Sequence, residues 1–266
     1  MNNPWIASLA ALFLWWFSTG AILMRVRAAD NAGGDQHIWS CLLSLPLLAG
    51  GVYGVHETVA LATPLGAFLA FLSAMAIWGW IELAFLSGLV TGPNRTPCPP
   101  EATARERFLR GALTLAWHEA ALVVALAVLA YLTRDAVNDF ALWTFAVLFF
   151  ARVSAKLNLF FGVPRINTEF LPRPLSHLPS HFRRSGVSWF FPLSISVLSL
   201  AAYCMLDRLW QADTAGQETG FTLLLALTLL ALLEHWFMVV PLPDQKLWRW
   251  MMAAPKPMTP APAAKD

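Results

Sequence analysis

LGAFLAFLSAMAIWGWIELAFLSGLV, residues 65–90, runs for twenty-six residues with a single charged side chain, Glu82. At about 1.5 Å of rise per residue such a stretch more than crosses the ~30 Å hydrocarbon core of a bilayer. It therefore reads as a membrane-spanning helix. Comparable runs lie at 5–24, 38–61, 111–132, 139–162, 187–207 and 220–240, separated by short polar or Pro/Gly-containing breaks. The whole chain of 266 residues is 58% hydrophobic and 13% charged, with 13 Trp and 18 Phe, whereas soluble domains carry about 25% charged residues. The fold class expected is an all-α integral membrane protein of seven transmembrane helices. Residues 1–251 form one polytopic domain, and the Pro/Ala-rich tail 252–266 is expected to be disordered.

The net charge of +2 hides a strong asymmetry. Arg25, Arg27, Arg95, Arg105, Arg107, Arg110, Arg165, Arg173, Arg183, Arg184, Lys246, Arg249, Lys256 and Lys265 fall on alternate loops, and Arg152 and Lys156 lie in the half of helix five nearest them. Only Arg134 and Arg208 lie opposite. Because cytoplasmic loops carry the excess of Lys and Arg, the N-terminus is expected outside, in the periplasm, and the C-terminus in the cytoplasm. Trp5, Trp143 and Trp210 then mark the outer interface and Trp39, Trp189, Trp248 and Trp250 the inner one, as aromatic belts do. Residues 1–24 carry no charge before Arg25; without a basic n-region they read as an anchor rather than a cleaved signal. Cys41, Cys98 and Cys204 suggest no disulfide framework, Cys98 lying in a loop expected to face the reducing cytoplasm.

Ionisable groups inside apolar runs cost ~2.5–3.5 kcal/mol each on insertion scales and mark functional sites by default. Glu82, His118, Glu119, Arg152, Lys156, Glu234 and His235 all fall about 9–15 Å from the basic edge by helical rise, so they form one layer. Trp15, Trp16, Trp78, Trp80, Trp117 and Trp236 share that depth. Two readings compete. In one, Arg152 and Lys156 neutralise the carboxylates in a network that fixes helix packing. In the other the layer is a pocket, either a metal site drawn from Glu82, His118, Glu119, Glu234 and His235 or a site for a flat aromatic ligand such as a quinone or a tetrapyrrole with an axial His. Against metal, adjacent His–Glu pairs diverge by about 100° on a helix.

A second candidate site lies toward the long inner loop 163–187, where Asn158, Glu169, His177 and His181 gather. His177 and His181 have the i,i+4 spacing of paired ligands, but Pro179 between them disfavours a regular helix, so a polar interfacial loop is the stronger reading. Four prolines suggest a shaped surface lying against anionic headgroups, to which Arg165, Arg173, Arg183 and Arg184 are attracted. His37 and His56–Glu57 read as solvated interface residues. Gly50-x-x-x-Gly54 offers a small-residue packing face.

WWFSTG (15–20), WGWIELAFLSG (78–88), TGPNR-x-x-CPP (91–100), WHE (117–119), LWTFAVLFFARVSAKLNLFFGVPRINTEFLPRPLSHLPSHFRR (142–184) and ALLEHWFMVVPLPDQKLWRWM (231–251) together resemble the photosynthetic complex assembly protein 2 family, PuhE, of phototrophic purple bacteria. The resemblance spans about residues 1–251. It implies a multi-pass protein of the inner or intracytoplasmic photosynthetic membrane that assists assembly of the reaction centre–core antenna complex or its bacteriochlorophyll supply. It supplies no catalytic residues. The first reading is thus a non-enzymatic assembly factor in contact with membrane lipids, photosynthetic subunits or pigment-synthesis enzymes, and not nucleic acid. The alternative is a membrane-embedded metal- or tetrapyrrole-binding enzyme or redox protein using the Glu/His layer. A transporter is disfavoured by the absence of internal repeats.

Overall fold

The structure, a computed structural model, describes residues 3–242. Eight α-helices follow one another: α1 (Pro4–Ala32), α2 (Gln36–Leu43), α3 (Leu45–Thr58), α4 (Pro64–Leu86), α5 (Ala104–Leu132), α6 (Phe140–Phe161), α7 (Phe190–Trp210) and α8 (Ala215–Phe237). With α2 and α3 counted as one broken span, seven segments are long and apolar enough to cross a bilayer. The chain is a multi-pass membrane protein.

Local chemistry sets the helix ends. Thr63, Thr103 and Thr214 accept from the amides of Gly66, Glu106 and Gln217, satisfying donors that the first turn leaves open. Thr103 therefore starts α5 seven residues before the apolar run at 111. Likewise α1 continues to Ala32 rather than 24, and α4 stops at Leu86 rather than 90. The expected span 38–61 is interrupted at Ser44, because Pro46 has no amide to donate; Ser44 Oγ turns back onto the Cys41 carbonyl at 3.0 Å.

The central helix is α4. About two thirds of its apolar window is buried, against 17–44% for the other spans, and α3, α8, α6, α1 and α5 pack around it. Without water between helices, close packing supplies much of the association. A Cβ on Gly54 would meet Ser73 Oγ at 2.3 Å, and one on Gly51 would meet Ser73 O at 2.9 Å, whereas Gly50 faces open space. The small-residue face is Gly51 with Gly54, a correction to the Gly50 spacing. Outward, Leu9, Phe13, Leu43, Tyr53, Val124, Phe150, Val197 and Leu200 are exposed, as lipid contact requires. Cys41, Cys98 and Cys204 are free thiols. The tail 252–266, with Lys256 and Lys265, lies outside the described residues, as do Lys246, Trp248, Arg249 and Trp250 before it.

The loop after α4 wedges into α5. The amides of Trp117 and His118, in mid-helix, donate to the Thr91 carbonyl at 2.9 and 3.0 Å, and Asn94 N donates to Leu113 O at 3.3 Å. Backbone inserted into a helical ladder in this way interrupts it locally. Gly92 makes the approach feasible, since a Cβ there would sit 1.9 Å from Leu113 O. The TGPNR motif is thereby a fixture that orients the turn carrying His118.

Candidate functional site

Four helices bring the charged layer together, but not into a single chamber. Arg152 Nη2 on α6 donates to Glu82 Oε2 on α4 at 3.0 Å. The other oxygen, Glu82 Oε1, lies 3.6 Å from Nε2 of the fully buried His118 on α5, beyond hydrogen-bond range. Among the described residues, neither Oε1 nor either His118 nitrogen has a hydrogen-bond partner. The Phe85 ring stacks on the imidazole with centroids 4.3 Å apart and also lies 5.8 Å from Lys156 Nζ. Lys156 in turn pairs with Glu119 Oε1.

His235 on α8 belongs to another cluster. Its Nδ1 lies 2.8 Å from the Ala231 carbonyl and its Nε2 2.9 Å from Ser154 Oγ. The carbonyl can only accept, so Nδ1 carries the proton and the serine hydroxyl donates to Nε2. One turn on, Asn158 Nδ2 donates to Ser154 O at 3.0 Å and Ser194 Oγ at 2.8 Å, tying α6 to α7. Asn158 is fully buried there and belongs to this helix seam, not to the loop site.

A cavity of about 300 Å³ opens among α1, α4, α6 and α8. Trp15, Ser18 and Thr19 of α1, Trp78 and Glu82 of α4, Leu148 and Arg152 of α6, and Glu234 of α8 line it, and Asn167, Phe170 and Leu171 border it from the loop. Glu82 and Glu234 stand only four and three residues before their helix ends, about 5–6 Å at helical rise. The chamber is therefore nearer the basic face than the longer expected spans implied. Glu119, Lys156 and His181 border a second, almost wholly apolar groove between α5 and α6.

The geometry bears on the ligand alternatives. Among the described residues no group of three or more His, Cys, Asp or Glu side chains is placed to hold one metal ion. Neither His118 nor His235 lines the 300 Å³ cavity, and both His235 nitrogens are engaged, so the chamber offers no axial imidazole. The volume lies at the low end of small-molecule sites.

The loop 163–187 is built rather than draped. Val163 bridges Arg184, Ser185 N donates to Val163 O at 3.2 Å, and Arg183 N to Leu159 O at 2.9 Å. Short 3₁₀ turns cover Arg173–Leu175 and Leu178–His181. Arg165, expected to meet headgroups, instead donates through Nη1 to the carbonyls of Phe237, Val240 and Leu242, where the C-terminal end of α8 favours a cation. His181 is buried, its Nε2 3.5 Å from Asn94 Nδ2 and its Nδ1 3.3 Å from Ser180 Oγ, while His177 Nε2 is buried without a partner among the described residues. Burial, reinforced by His181 and Arg95, pushes His177 below the usual imidazole range, and burial does the same to His181. Glu169 donates its backbone amide to Asn167 Oδ1 at 3.1 Å.

One buried structural residue escaped the sequence reading. Asp30, almost fully buried at the end of α1, accepts from His37 at 3.0 Å and from the amide of Arg173 at 3.1 Å. His37 is thus a clamp to the loop and not a solvated interface residue, while His56 and Glu57 are exposed as expected. Asp30 sits in AADNAGGD, polar surroundings in which an acid carries no signal.

A family described as "Protein of unknown function (DUF3623)" matches residues 1–259. The chain is 58% identical over 252 residues, 95% of its own length and 92% of the relative's, to the "uncharacterized 30.4 kDa protein in puhA 5'region" of Rhodobacter capsulatus. No solved structure matches.

Proposed function

The chain belongs to the DUF3623 family, and we propose that it is an assembly factor for the photosynthetic reaction centre–core antenna complex or for its bacteriochlorophyll supply. The observation that carries the reading is the 58%-identical relative described by its position in the puhA 5′ region, a photosynthesis gene neighbourhood. A multi-pass architecture suits a protein that meets subunits during their insertion in the inner or photosynthetic membrane. The basic face, read as cytoplasmic by the positive-inside rule, presents the shaped loops 87–103 and 162–189 toward nascent chains or peripheral pigment-synthesis enzymes. The role is non-enzymatic, acting through contact.

The experiment is a chromosomal deletion with complementation, reading the near-infrared absorbance of mature complex per unit of membrane protein. The deletion lowers it and the wild-type gene restores it. Unchanged absorbance in the deletion strain rejects the proposal.

A further inference from the structure

The cavity between α1 and α8 is built for a particular kind of occupant. Its walls are mostly apolar and include two indoles, Trp15 and Trp78, whereas its polar groups converge at the end nearest the basic face. There Arg152 keeps a partly exposed guanidinium of which, among the described residues, only Nη2 is hydrogen-bonded, and that to Glu82. Glu234 lines the same space and accepts no side-chain or backbone hydrogen bond among the described residues. The chamber thus sets a charged donor, Arg152, and an acidic acceptor, Glu234, with the Ser18 and Thr19 hydroxyls and the Asn167 amide, beside an apolar, aromatic-lined volume of about 300 Å³, enough for a small-molecule head.

Charge narrows the class. Glu82 offsets Arg152, and Glu234 adds a second acid, so no spare positive charge remains for a phosphate; a simple cation would meet Arg152. A neutral head with both an acceptor and a donor satisfies both groups at least desolvation cost. Its depth, one turn from the helix ends, suits an amphiphile whose head lies near the interface and whose tail lies in hydrocarbon.

We propose that this cavity binds the headgroup of an isoprenoid quinol, with Arg152 donating to one ring oxygen and Glu234 accepting from a ring hydroxyl. The inference does not depend on the photosynthetic reading. A quinone has ring carbonyls that cannot donate to an ionised Glu234, so above neutral pH, where the carboxylate can only accept, the reduced form binds more tightly.

The test is equilibrium dialysis of the purified full-length protein in detergent against short-chain ubiquinol, kept reduced, and against the matching ubiquinone. Saturable binding with at least a tenfold preference for the quinol is expected. Glu234→Gln replaces the acceptor with an amide that can donate to a carbonyl, so the preference shrinks or reverses while circular dichroism and melting temperature hold. Leu148→Trp, which fills the chamber and leaves every charge in place, weakens both ligands. Absence of saturable binding, a quinol preference that Glu234→Gln leaves unchanged, or displacement by excess phosphatidylethanolamine, which would assign the chamber to a zwitterionic lipid head, would each overturn the proposal.

Discussion

Glu82 is the residue on which the charged layer turns, because it accepts from Arg152 on one oxygen and faces His118 with the other. Removing one member of a buried pair strands the other, whereas removing both can be nearly neutral. With the Arg152 side chain 40% exposed, a discounted cost of about 1–3 kcal/mol is expected for Glu82→Ala. The double variant Glu82→Ala, Arg152→Gln recovers most of it, and thermal melting of the wild type, the two single variants and the double reads the coupling. Additive losses would show that the pair does not act as a unit. His235→Ala deprives the Ser154 hydroxyl of its acceptor and costs about 1–2 kcal/mol, seen first as lower abundance in the membrane. Glu82, Glu119, Arg152 and Lys156 were legible because charge inside an apolar run needs an explanation. Their partition into a cavity pair, a groove pair and a His–Ser seam was not, since rotation about each helix axis is set by neighbours that no single segment reveals.

Elements were legible in number and order, and less so at their ends. Hydropathy stops where apolar residues stop, but α5 begins at the Thr103 cap and α1 runs on through its polar last turn, so both are longer than their apolar runs. The wedge of residues 91–94 into α5 left only a composition signal in TGPNR. Gly92→Ala places a methyl against the Leu113 carbonyl, and the α4–α5 connection must shift; faster amide exchange at Trp117 and His118 is the expected signature, and unchanged protection would remove the wedge from the account. The loop beneath carries a pH dependence. His177 and His181 have lowered folded values, so the unfolded chain binds protons first as pH falls through about 6.5. Stability is complete above that value and is lost between it and the lower folded values. Proteolysis of 163–187 should accelerate as pH drops from 7 to 5, and less so in His181→Asn; a rate independent of pH contradicts the burial of these imidazoles.

At the scale of the molecule, seven spans followed from hydropathy alone, since bilayer thickness leaves little freedom in counting. Orientation rests on the partition of basic residues. A reporter fused after residue 251 is expected on the cytoplasmic side; periplasmic activity would invert every statement about which partners meet the loops. The proposed role in maturation of a photosynthetic complex rests on the relative in the puhA 5′ region. Pulse-labelling of reaction centre subunits in wild-type and deletion strains, followed by native separation of the membranes, tests it most directly. The account predicts equal synthesis of the subunits and slower transfer of label into the mature complex when the protein is absent. Equal transfer in the two strains would contradict it.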